Sequence, residues 1–116
     1  MVNSRTVQLD DTLYALSDPT RRAIVARLTT GDATVGELAE PFSLSASAMT
    51  KHLRVLERVG LISQRRVGRT RRCQLDPAPL REAAAFFEQY LPFWEQQLDQ
   101  LVAYAQERTS GRANDE

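Results

Sequence analysis

Eight apolar residues in the C-terminal third, Leu80, Ala84, Phe87, Leu91, Trp94, Leu98, Leu101 and Ala105, follow one another at intervals of 4, 3, 4, 3, 4, 3 and 4. That spacing is a heptad seam, the pattern of a helix that buries one stripe against a second helix. It predicts a helix from about Ala78 to Arg108, started by Asp76 or Pro77. Such a helix is about 46 Å long at 1.5 Å per residue. A chain of 116 residues makes one small domain, which cannot cover a seam of that length by itself. Packing on the chain's own first helix (Leu9, Leu13, Leu16) accounts for only part of the length. A second copy is the natural cover, so Leu9, Leu13, Leu16, Phe87, Leu91, Trp94, Leu98 and Leu101 are the candidate dimer contacts. Pro92 lacks an amide hydrogen and predicts a bend near Tyr90.

Lysines plus arginines (15) and aspartates plus glutamates (15) cancel, but the charge is segregated along the chain. From Lys51 to Arg72 eight basic residues face one acid, Glu57, whereas from Asp76 to Glu116 eight acids face three arginines. The longest apolar runs, such as Ala83 to Phe87, are far too short to cross a bilayer. The N-terminal residues lack the apolar stretch of a secretory signal, and the single cysteine, Cys73, permits no internal disulfide, so the expected location is cytoplasmic.

Local signals divide the chain further. Asp18-Pro19 is a helix start, because Asp accepts from free first-turn amides and Pro has none to waste. The helix runs from Thr20 to Leu28 with Ala23, Ile24, Ala26 and Leu28 inward, and Gly31 stops it. Thr34 and Glu37 have capping-box spacing and open a short helix through Glu40, stopped by Pro41. Ser45 caps the next helix, whose Met49, Leu53, Leu56 and Val59 form one 3.6-residue stripe, and Gly60 ends it. Two short helices joined by Phe42-Ser43-Leu44 are either a helix-turn-helix or a helical hairpin with a solvated basic face.

The next segment favours the first reading. Leu61 to Val67 and Arg71 to Leu75 are short β-like runs, with Gly68-Arg69 as a two-residue hairpin loop. Arg65, Arg66, Arg69, Arg71 and Arg72 occupy the tip and flanks, the layout of a wing. Five like charges in eight residues repel one another unless an anion joins them, and guanidinium forks suit phosphates and the minor groove. The expected fold class is therefore mainly α with a β-hairpin wing (α+β). The expected organisation is an N-terminal arm at 1–8, one domain at 9–108 and a disordered tail at 109–116.

The stretches "LSDPTRRAIVARL", "TVGELAE", "LSASAMTKHLRVLERVGLI", "RRVGRTRRCQLDP" and "PFWEQQLDQL" resemble, in order, successive segments of ArsR-type winged-helix transcriptional regulators. The likeness spans about residues 9–105 and is most specific in "KHLRVLERVGLI" with the arginine-rich wing behind it. It implies a homodimer, held by the first and last helices, that binds operator DNA and usually represses. Carried over residue by residue, the recognition helix would present Ser45, Ser47, Thr50, Lys51, His52 and Arg54 to double-stranded DNA. Members often place hydrogen-bonding side chains at the positions of Ala46 and Ala48. Methyl groups there can touch a thymine methyl but cannot read a purine edge.

Metal-sensing members carry a Cys-x-Cys pair where this chain has Thr34 and Gly36, and the predicted last helix has neither His nor Cys. The "PFWEQQLDQL" segment resembles the subgroup without a metal-binding cysteine box more than it resembles the metal sensors; no metal site and no cofactor is evident, and the effector is unnamed by the sequence. A nickel- or zinc-responsive regulator using an oxygen-rich site (Glu88, Glu95, Asp99) is an alternative of poor ligand chemistry. A winged-helix module for protein or RNA is another, but no aromatic residue is interleaved with the basic ones between Lys51 and Arg72 to stack on single-stranded bases. An enzyme is the weakest reading, lacking a phosphate loop, a metal cluster or a His-paired nucleophile. Cys73, beside the arginines, is either a redox thiol or, by strand alternation with Leu75, a small core residue.

Overall fold

The computed structural model describes residues 4–114, with side-chain environments from 8 to 110. The order is α1 (Ser4–Ala15), α2 (Pro19–Leu28), β1 (Ala33–Thr34), α3 (Val35–Ala39), a 3-10 turn (Glu40–Phe42), α4 (Ala46–Arg58), β2 (Ile62–Val67), β3 (Thr70–Leu75), α5 (Ala78–Glu88) and α6 (Leu91–Asn114). The chain divides into two units, Met1–Ala83 and Ala84–Glu116.

The first unit is built on the predicted caps. Asp18 accepts from the Arg21 amide at 3.0 Å, and Pro19 is the first residue of α2. Thr34 and Glu37 close the capping box of α3, and Ser45 Oγ accepts from the Ala48 amide at 3.1 Å to start α4. Met49, Leu53 and Leu56 are fully buried, as their single stripe requires, and pack with Ile24, Leu28, Ala33, Leu38, Leu61 and Ile62. Along α2 the inward set differs in one respect: Val25 is buried and Ala26 is exposed. The core lies on the Val25 side of the helix, where the larger side chain removes more apolar surface from water.

β2 and β3 form the expected antiparallel hairpin, with Val67 paired to Thr70 across Gly68-Arg69 and Gly68 at φ 62°. That left-handed φ is the reason for glycine there. A third strand, not foreseen, joins the sheet in the order β1-β3-β2: Ala33 pairs with Cys73 and Thr34 with Arg72. Two residues are too few to show a period-two pattern, and Thr34 also reads as a cap. Gly60, at φ 83°, turns the chain from α4 into β2.

In place of one helix bent near Tyr90 there are two, α5 and α6, separated by Gln89 and Tyr90. The Tyr90 amide bonds Phe87 O at 3.0 Å, closing α5 tightly, and Tyr90 O accepts from the Trp94 amide at 3.0 Å, opening α6. Pro92 sits in the first turn of α6, where its missing amide costs nothing, so a restart replaces a bend. At the ends, α1 begins at Ser4, inside the stretch assigned to an arm, and α6 continues through Asn114, beyond the expected boundary at Thr109.

Candidate nucleic-acid interface

α4 carries its polar side chains on the face opposite its core stripe. At roughly 100° per residue, Ser47, Lys51, Arg54 and Arg58 fall within about 60° of one another. All four are exposed. Arg58 was not singled out from the sequence as a contact, although its spacing from Lys51 and Arg54 places it on the same row.

The other candidates on α4 are already engaged. Ser45 Oγ is the cap acceptor and keeps its hydroxyl hydrogen free to donate, whereas Thr50 Oγ1 donates to Ala46 O at 2.7 Å and is left with accepting capacity only. His52 lies about 140° round from Ser47, at the margin of the core. It is half-buried, and its Nδ1 is 3.8 Å from Asp18 Oδ2 at the start of α2. The structure therefore directs the imidazole toward Asp18 and away from the Ser47–Lys51–Arg54 row. Asp18 itself is held below the ordinary aspartate range, first by the Arg21 amide and then by His52 and Arg21, against a desolvation that raises it.

On the hairpin, register and alternation sort the arginines. Arg66 pairs with Arg71 and Arg65 with Arg72. Because Cys73 points inward, Gln64, Arg66 and Arg71 share its face of the ladder, and Arg65 and Arg72 take the other. Arg69 is in the loop. Arg65, Arg66, Arg69 and Arg71 are exposed and Arg72 is half-buried. Among the described residues none of the five has a carboxylate oxygen within 4 Å; the side-chain contacts of that kind there are Arg27 with Glu37 at 3.9 Å and the His52 imidazole with Asp18 at 3.8 Å. Like charges directly opposite on a ladder repel, so these pairs tax the hairpin.

Other arginines do structural work that a charge count does not distinguish. Arg21 Nε donates to Ala15 O at 2.6 Å and its guanidinium lies 5.5 Å from the Tyr14 ring centre, while Arg22 donates to Leu16 O at 2.8 Å. Both therefore serve carbonyls at the C-terminal end of α1. Cys73 is fully buried, and burial, with the Glu57 charge adding to it, pushes its thiol up to about 11. That is the environment of a packed, protonated thiol.

The candidate dimer residues divide as well. Leu16 packs partly against the first unit's own core, Leu9 is half-buried and Leu13 is exposed. In the second unit Phe87, Leu91, Trp94, Leu98 and Leu101 are all exposed, Trp94 at 62% and Leu101 at 65%. Val102 and Tyr104 are exposed with them. Among the described residues no three His, Cys, Asp or Glu side chains gather as a metal site, and no helix is long and apolar enough to cross a membrane.

A family model for a helix-turn-helix domain matches residues 16–65. The HTH-type transcriptional regulator Rv2034 of Mycobacterium tuberculosis is 42% identical over 97 residues, which is 84% of this chain and 85% of that protein. The transcriptional repressor SdpR of Bacillus subtilis is 40% identical over 60 residues, 52% of this chain and 67% of that one. A crystal structure of an ArsR family transcriptional regulator superposes with a TM-score of 0.71 at 38% identity, covering 82% of this chain and 97% of the other. The capped helix pair, the arginine-bearing hairpin and a likeness that extends over most of both chains lead to one assignment: the chain belongs to the ArsR family of winged helix-turn-helix transcriptional regulators, DNA-binding proteins and not enzymes.

Proposed function

We propose that two copies of the chain join and bind an inverted-repeat operator in double-stranded DNA, repressing transcription from it. The observation that carries this reading is the hairpin: five arginines, two cross-strand like-charge pairs among them, with no carboxylate within 4 Å among the described residues. A phosphate backbone supplies the missing negative charge. Ser47, Lys51 and Arg54, with Ser45 as donor and Thr50 as acceptor, are the side chains of α4 offered to the major groove. Arg58 extends the row toward phosphate, and Arg65, Arg66, Arg69, Arg71 and Arg72 serve the wing. His52 contributes through Asp18 more than through DNA.

Association of two copies is supported by α6. It is 24 residues long, and each of its residues from Leu91 to Ser110 is exposed, aromatic and aliphatic ones included. A helix with so much unpartnered apolar surface gains little from propensity alone in water. Covering Phe87, Leu91, Trp94, Leu98 and Leu101, with Leu13 on α1, is the role assigned to the partner copy. Two recognition helices then meet half-sites ~34–36 Å apart. Repression is the reading favoured by SdpR, a relative named as a transcriptional repressor.

The test is a titration of promoter duplex at several salt concentrations beside sedimentation of the free protein. With about four phosphates neutralised per subunit, log affinity falls against log salt with a slope near −7. A shallow slope, or a monomer at micromolar concentration, overturns the proposal.

A further inference from the structure

Glu57 is the one acid among the eight basic residues from Lys51 to Arg72. It stands in the last turn of α4 and lines a hollow with Gln64, Arg65, Arg66 and Arg71. With three arginines around that hollow, its carboxylate is nevertheless bonded to a neutral group: Gln64 Nε2 donates to Glu57 Oε2 at 2.7 Å. Gln64 lies opposite Cys73 on β2, one step inward along the face that carries Arg66 and Arg71. Buried Cys73 opposite it and buried Ile62 inward of it anchor the hairpin; beyond it Arg65 through Arg71 are all exposed. This hydrogen bond is the outermost side-chain tie between the recognition helix and the wing among the described residues.

We propose that Glu57 is a positioning residue: through Gln64 it sets the angle of the wing relative to α4, and so the alignment of Arg66 and Arg71 with the groove that α4 enters. The inference rests on the DNA-binding reading above. An acid in a cationic surface weakens attraction to every duplex alike, because the phosphate field is independent of sequence. Its benefit must therefore lie in selectivity. A two-stranded ribbon twists readily about its own axis, and ladder hydrogen bonds hold its strands to each other, not to a helix. A charge-assisted bond from the helix supplies that constraint.

Three variants separate charge from geometry. Glu57→Gln keeps an acceptor for the Gln64 amide and removes the charge; Glu57→Ala removes both; Gln64→Ala removes the donor and keeps the charge. The probes are a duplex selected by the wild-type chain from a randomised pool and an unselected duplex of equal length. Glu57→Gln and Glu57→Ala both bind the unselected duplex several-fold more tightly. The ratio of selected to unselected affinity stays within about twofold of wild type in Glu57→Gln, and falls about fivefold or more in Glu57→Ala and Gln64→Ala. In the free protein, amide exchange of β2 and β3 quickens in Glu57→Ala and Gln64→Ala but not in Glu57→Gln. Unchanged ratios with unchanged exchange in the two alanine variants overturn the proposal. A wild-type chain that ignores every duplex overturns the DNA-binding reading instead, and the exchange comparison still decides whether the tie holds the wing.

Discussion

Neutralising the pair Arg66 and Arg71 moves stability and DNA binding in opposite directions, if their purpose is an external anion. The two residues are direct cross-strand partners near the end of an exposed hairpin. Side chains so placed have Cβ atoms about 4.5–5.5 Å apart, and unfavourable pairs of this kind are worth on the order of 0.2–1 kcal/mol. Solvent screening holds the value in that range. Replacing both by Gln keeps most of the aliphatic stem and removes the repulsion, so the double variant gains up to about 1 kcal/mol, or about 1–5 °C in Tm. Its DNA affinity falls at the same time. Each neutralised phosphate contributes about 0.9 to the log–log salt slope, so loss of two contacts per subunit makes the slope of a dimer shallower by about 3.6. Thermal denaturation at low ionic strength gives the first quantity and salt-dependent fluorescence anisotropy with labelled duplex the second. A double variant that melts earlier than wild type, or binds with an unaltered slope, refutes the argument that these charges are spaced for an anion.

Three other outcomes follow from the structure. Leu53 is fully buried in the core of the first unit, and Leu53→Ala costs about 2–5 kcal/mol in urea denaturation; a loss under 1 kcal/mol would show that α4 is not seated there. The Cys73 thiol, raised to about 11 by burial, resists a thiol reagent at pH 8 in the native protein and reacts freely once unfolded, so rapid native labelling sinks this assignment. Because the folded-state pKa of Asp18 is lowered from 3.8, its contribution is present above that value and is lost as pH falls below it. Asp18→Asn retains a good cap, so the variant loses less stability than wild type between pH 5 and roughly pH 3, and parallel acid profiles contradict the assignment.

Much of the helix pair and of the hairpin is legible in the sequence, because the signals are local. Ser45, Met49, Leu53 and Leu56 are spaced by the pitch of one helix, and Gly68-Arg69 between β-like runs specifies its own hairpin. Lys51 and Arg54 came from the family resemblance, and Arg58 could have been added to them by helical spacing, four residues after Arg54. The separation of α5 from α6 was half legible: Pro92 located the interruption, but whether the helix bends or restarts depends on how Tyr90 spends its amide and carbonyl. Leu16 looked equivalent to Leu9 and Leu13 by spacing, yet it packs partly on the first unit's core, which spacing along one helix cannot reveal.

The caps of α2, α3 and α4, the buried stripe of α4 and the cationic hairpin are all dictated by interactions between residues three or four apart, or by strand alternation. Such interactions exist wherever the segment is placed, and reading the chain alone is enough to find them. Which groups meet across elements is another matter. Ala33 and Thr34 became a strand only because β3 lay beside them; His52 found Asp18, and Glu57 found Gln64, because α2, α4 and β2 converge on one core. Identical residue types thus received different work. Arg21 and Arg22 close the end of α1, whereas Arg66 and Arg71 stand in solvent with no carboxylate oxygen within 4 Å among the described residues. Charge along a sequence measures how much attraction is available, and only the folded arrangement of neighbours settles how much of it is left over for another molecule.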